Sequence, residues 1–129
     1  MAGKLTISTL NDSSGVLATQ NGMTGIAKAW VNFVGSSAAI NGSFNVSSIT
    51  RNGTGDYTIN YTTAMPNTNY AAMVTGQGQA GNGGSQWVGM IYQPTGGIYS
   101  TTQTRFLFGN SANGVPADAA TACIAILGS

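Results

Sequence analysis

The chain has 129 residues, a length that suits one domain able to bury a core without disulfides or metal. Charged residues are only 5% of it, the net charge is +1, and it holds neither His nor Glu. Those absences remove the Ser-His-Asp triad, the Cys-His pair and any His-based metal site. Glycosidase chemistry needs two close carboxylates. The only acids are Asp12, Asp56 and Asp118, each in a turn or loop signal. The composition argues against an enzyme. So small a charge leaves no electrostatic footprint for nucleic acid and none for a membrane surface. Surface polarity has to come from Asn, Gln, Ser and Thr, and a nearly neutral monomer of this kind tends to associate. The expectation is a chain that works inside an assembly.

Met1 to Lys4 leads into a polar segment with no apolar core of signal-peptide length. Lys4 to Leu10 reads as a first strand or as an extended arm, and Asn11 to Gly15 as a turn. Val16 to Thr24 is irregular. Residues 1–24 carry too few large apolar side chains for a core of their own. They read as an arm that packs on a neighbouring subunit or a scaffold through Leu5, Ile7, Leu10, Val16 and Leu17.

Ile26 to Val34 is a predicted strand, with Ala27, Ala29, Val31 and Phe33 on one face and Lys28, Trp30, Asn32 and Val34 on the other. Trp30 then implies either a strand covered on both faces or an exposed anchor. Gly35 to Gly42 reads as a loop. Ser43 to Thr50 and Asp56 to Met65 form a hairpin around Arg51-Asn52-Gly53-Thr54-Gly55, where Asn-Gly supplies the positive φ of a tight turn. On its second strand Tyr57, Ile59, Tyr61, Thr63 and Met65 share one face. Pro66 to Asn69 is a turn and Tyr70 to Thr75 a strand.

Gly76 to Ser85 is a glycine-rich loop without the Lys-Ser/Thr ending of a phosphate-binding loop. Gln86 to Gln93 has apolar residues on both faces, which suggests a central or interface strand. Ile98 to Phe108 is the longest predicted strand. Ala119 to Leu127 closes the fold as a core strand that buries Cys123, the only cysteine. No window approaches the ~18 apolar residues of a membrane span. About eight short strands joined by Gly/Asn/Pro turns predict an all-β fold: one antiparallel β-sandwich or jelly-roll-like domain over 25–129, preceded by the arm 1–24.

The run from Gly25 to about Ala72, above all Gly25 to Phe33 and Ser43 to Tyr70, resembles a domain of tailed-phage virion proteins. That domain is found in tail-fibre-like and small structural proteins of phages of cyanobacteria and other aquatic bacteria. The resemblance weakens towards Ser129 and is absent from Met1 to Thr24. It implies a place on a phage particle. Two dozen residues before the domain suit a short arm that grips a shell better than a fibre shaft. The expectation is therefore a capsid cement or decoration protein on the outside of the mature head. Its expected partners are the major capsid protein and copies of itself in a homotrimer. The alternative is the receptor- or glycan-binding head of a tail fibre, with a host surface glycan as partner.

Trp30, Trp87, Tyr92 and Tyr99 have two readings, a sugar-binding platform or sandwich core and subunit interface. The second fits better, because aromatic residues dominate both of those environments. The expected interface residues are Leu5, Ile7, Leu10, Val16, Leu17, Trp30, Trp87 and Tyr92. No catalytic, cofactor-binding or metal-binding residue is expected. A calcium site would need the three aspartates to converge in space.

Overall fold

Alternating apolar and polar residues put one row of side chains on each side of a strand, and two such strand sets can bury their apolar rows against each other. The computed structural model describes residues 27–78, 87–91 as backbone, 99–110 and 114–128. The elements are β1 (Ala27–Val34), β2 (Ala39–Phe44), β3 (Val46–Gly53), β4 (Asp56–Tyr61), β5 (Tyr70–Gln77), β6 (Trp87–Ile91), β7 (Gln103–Asn110) and β8 (Thr121–Gly128). There is no helix among the described residues. Two four-stranded antiparallel sheets form, one in the order β2-β1-β8-β5 (sheet A) and one in the order β3-β4-β7-β6 (sheet B). The fold is an antiparallel β-sandwich, as the period of two predicts. The proposed arm and Tyr92 lie outside the described residues.

The core fills from both sheets. Val31 and Phe33 of β1, with Ile124 and Ile126 of β8, face Tyr57 and Ile59 of β4 and Phe106 and Phe108 of β7. Phe33 meets Tyr57 edge-to-face at a centroid distance of 5.1 Å. Phe106 and Phe108 are in edge-to-face contact at 5.7 Å. Each such side chain removed from water contributes about 1.5–3 kcal/mol.

Several boundaries differ from the sequence reading, each for a physical reason. Gly35 to Gly42 is not one loop, because Ala39 already belongs to β2. Ser43 to Thr50 is not one strand. Asn45 interrupts it in the left-handed region, at φ 54°. Its side chain holds the corner, donating from Nδ2 to the Lys28 and Thr63 carbonyls and accepting from the Thr63 N–H. The chain changes sheet there. Phe44 ends on the outside of sheet A and Val46 enters the core of sheet B. In the next hairpin the positive φ falls at Gly55 (69°), not at Gly53. β4 ends at Tyr61, yet Met65 is still buried. β6 pairs only with β7 and is an edge strand, so it is not central.

Lys28 is the largest departure. Ala27 faces Leu127 and Ala29 faces Ile126, so Lys28 is an extra residue in a β-bulge. A bulge turns two successive side chains the same way. Lys28 thus leaves the outer row predicted for it and is buried, at 1% exposure.

Gly55 is required where it stands. A Cβ there would lie 2.3 Å from the Phe108 carbonyl oxygen, on top of the positive φ. Gly55→Ala is expected to lower stability by about 2–4 kcal/mol, measured by urea unfolding. An unchanged midpoint would remove this account of the turn.

Candidate functional site

The two outer faces of the sandwich differ. On sheet B, Asn60 Nδ2 donates to Ser48 Oγ at 3.1 Å and to Thr50 Oγ1 at 3.2 Å. Asn52 donates to Asp56 and Thr58, and Arg105 holds Asp56 through two nitrogens. This face is a ladder of amides and hydroxyls closed by an ion pair. Asp56 sits below the usual carboxylate range, chiefly because Arg105 donates to it.

Asp118 lies in the connection between β7 and β8 and reaches the β3–β4 hairpin. Its Oδ1 accepts from the Tyr57 hydroxyl at 2.6 Å, from the Gly55 N–H at 2.8 Å and from Arg51 Nε at 3.2 Å, and its Oδ2 accepts from Arg51 Nη2 at 2.6 Å. Burial pushes the Asp118 pKa up, but the bonds from Arg51, Gly55 and Tyr57 together outweigh it and hold the carboxyl low. Burial, then the hydrogen bond to Asp118, pushes the Tyr57 phenol up, so it remains a donor. Each of the two described aspartates is thus paired with an arginine and bonded to further donors. Among the described residues no group of three or more His, Cys, Asp or Glu gathers to hold a metal.

The outer face of sheet A is of another kind. Its register aligns Phe44, Trp30, Ala125 and Met73 in one row across the four strands. Trp30 is 42% exposed, Phe44 41% and Met73 54%. The next row is Gly42, Asn32, Cys123 and Thr75. Asn32 donates to Cys123 Sγ at 3.0 Å and accepts from Asn41 Nδ2 at 2.8 Å. At Cys123 and Ala125 β8 carries small residues outward, so this stretch is the floor of a groove whose walls are Trp30 on β1 and Met73 on β5. The groove holds about 500 Å³ beside Trp30, Ala125 and Met73. A hollow of about 320 Å³ continues from it past Thr75 and Cys123 to Gln77 and Thr121. The six-membered ring of Trp30 reaches over β2, where a Cβ at Gly42 would touch it at 3.5 Å.

Of the residues expected at an interface, Leu5, Ile7, Leu10, Val16, Leu17 and Tyr92 lie outside the described residues. Trp30 is on sheet A and Trp87 on sheet B, so the structure does not bring them onto one sheet. Tyr99 is 39% exposed and packs edge-to-face on Tyr70 at 5.0 Å. Trp30 is not core, and Cys123 is half-buried on the outer face rather than inside. Phe44 and Met73 also lie on this outer face. The alternation of Met73 with Ala72 and Val74 carried the signal for one, and the corner at Asn45 concealed the other. The chain matches no known family model, no curated protein and no solved structure.

The lowered Asp118 pKa fixes a pH dependence. A depressed carboxylate adds stability that is complete above its unfolded value, near 3.8, and that is lost as pH falls through the lower folded value. The loss of stability as pH falls below about 4 is expected to be shallower in Asp118→Asn, which is less stable than the native chain at neutral pH. At neutral pH, Asp118→Ala leaves the Tyr57 hydroxyl and the Gly55 N–H without their acceptor. It is expected to cost about 2–4 kcal/mol by denaturant titration. Equal acid sensitivity in Asp118→Asn and the native chain would refute the assignment.

Proposed function

We propose that this chain is a structural protein of a tailed-phage particle, a cement or decoration protein on the outside of the mature head. The resemblance of Gly25 to Ala72 to phage virion proteins suggests the particle. The observation that carries the structural role is the use made of the acids. Asp56 and Asp118 are each bound by an arginine, and both pairs fasten strands and loops of the sandwich. A chain with three acids, two of them tied in this way, is suited to holding shape.

In this reading the chain binds only the mature shell and stabilises it by mass action. Its partners are the major capsid protein and further copies of itself. A homotrimer at a local three-fold position would engage several capsid subunits and gain from multivalency. Residues 1–24 would anchor it, with the sandwich turned outward.

One observation favours a second reading, the receptor-binding head of a tail fibre. Trp30 points away from the core and stays open to solvent, as a recognition residue would.

Gold-labelled antibody against the chain, imaged on purified particles of the phage that encodes it, separates the two. Label is expected over the heads, and heads stripped of the chain are expected to lose DNA at a lower temperature until it is added back. Label confined to tail tips would replace the first reading by the second. Particles without label would refute both.

A further inference from the structure

We propose that the outer face of sheet A binds a neutral polysaccharide, laid along β8 between Trp30 and Met73. The site stands whether the chain sits on the head or the tail of a particle.

Charge comes first. The outward residues of sheet A include Phe44, Trp30, Asn32, Cys123, Met73 and Thr75, and none of the outward positions is charged. Lys28, the one cation in this sheet, is buried in its bulge. Arg51, Asp56 and Arg105 are on sheet B, and Asp118 is strapped to it. Among the described residues an anionic ligand would find no cation on this face, and a cationic one would find no carboxylate.

The groove also changes character along its length. Around Trp30, Ala125 and Met73 it is apolar. Past Cys123 it is lined by the hydroxyls of Thr75 and Thr121 and the amide of Gln77. A pyranose ring has the same two-sided chemistry, a C–H face and a rim of hydroxyls. Trp30 leans across β2 over Gly42, which has no side chain to lift the ring, and 42% of the residue stays open. Aromatic surface of this kind is a large apolar contact area held in a fixed orientation.

An extended peptide suits the groove less well. Its floor, β8, is paired with β1 on one side and with β5 on the other. The floor itself offers no free backbone edge to hydrogen-bond an added strand. A peptide lying there would bury its own N–H and C=O groups against an apolar wall, which is costly. Sugar hydroxyls, by contrast, point outward to water and sideways to Thr75, Gln77 and Thr121.

The test is calorimetric titration of the full chain with neutral hexasaccharides of glucose, mannose and N-acetylglucosamine, and with a hexamer of galacturonic acid as the charged control. At least one neutral hexasaccharide is expected to bind, and the charged one is not. Trp30→Ala is expected to weaken binding at least tenfold, about 1.4 kcal/mol. Ala125→Leu, which fills the groove floor and leaves Trp30 in place, is expected to weaken it as much. Gln103→Ala, on the other sheet, should bind normally. Thermal melting of each variant checks that it is folded. The proposal is overturned if no neutral hexasaccharide binds at millimolar concentration. It is also overturned if binding survives both groove substitutions. Sedimentation showing that this face is covered by a second copy, with dissociation on Trp30→Ala and no sugar binding, would overturn it too. Because the titration uses the isolated chain, it can fail while the chain is still found on phage heads.

Discussion

The Asp118 carboxylate joins parts of the chain that share no ladder. Arg51 is 67 positions away and Tyr57 is 61. Through Arg51 and the Gly55 N–H it ties the β7–β8 connection to the β3–β4 hairpin. Through Tyr57 it reaches the core, because the Tyr57 ring packs on Phe33, Phe106 and Phe108. The close approach of that connection also depends on Gly35. A Cβ there would lie 2.3 Å from the Ala119 carbonyl oxygen and 2.8 Å from the Tyr57 hydroxyl. A longer side chain at either place would push the connection off the end of the sandwich. The interior polar atoms are comparably settled. Thr104 Oγ1 sits between the hydroxyls of Tyr61 and Tyr70, at 2.5 and 2.6 Å, and Tyr70 also donates to the Ser100 carbonyl. Buried hydroxyls that satisfy one another in this way offset the desolvation cost of keeping two tyrosines in an apolar layer.

With so few charges, their placement decides what each face can do. The Arg51–Asp118 and Arg105–Asp56 pairs serve sheet B and the loop bound to it. Among the described residues the outward side of sheet A is left to Trp30, Met73 and uncharged polar groups. An isolated exposed apolar residue is ordinary. A row of three across one sheet is a patch, and patches of that kind mark contact with something else.

Period-two alternation found the buried rows of β1 and β4 but missed the start of β2 and its break from β3. Tyr57, Ile59 and Tyr61 face the core as that pattern requires, and so do Val31 and Phe33. The pattern failed where backbone conformation interrupts it. A bulge turns the Lys28 side chain inward without moving those that follow, a left-handed residue at Asn45 sends Phe44 and Val46 to different faces, and neither shows in hydrophobicity. Strand order was not legible either. Trp30, Ala125 and Met73 line one groove because β1, β8 and β5 are neighbours, and alternation gives a face without giving a neighbour. The role of Asp118 was hidden for the same reason, since its partners lie more than sixty positions away.

The pairing of β1 with β8 has a mechanical consequence. Ala27, where the described sandwich begins, faces Leu127, near where it ends. The two strands run antiparallel at the middle of sheet A. A tension applied between those points would open the ladder from one end, one rung at a time, instead of shearing all its rungs together. Unzipping resists force poorly. A particle that strained this domain through its two chain ends would peel it apart, whereas pressure spread over the sheet faces would meet the packed core. Any durable attachment is therefore better made across a face, or through one end alone.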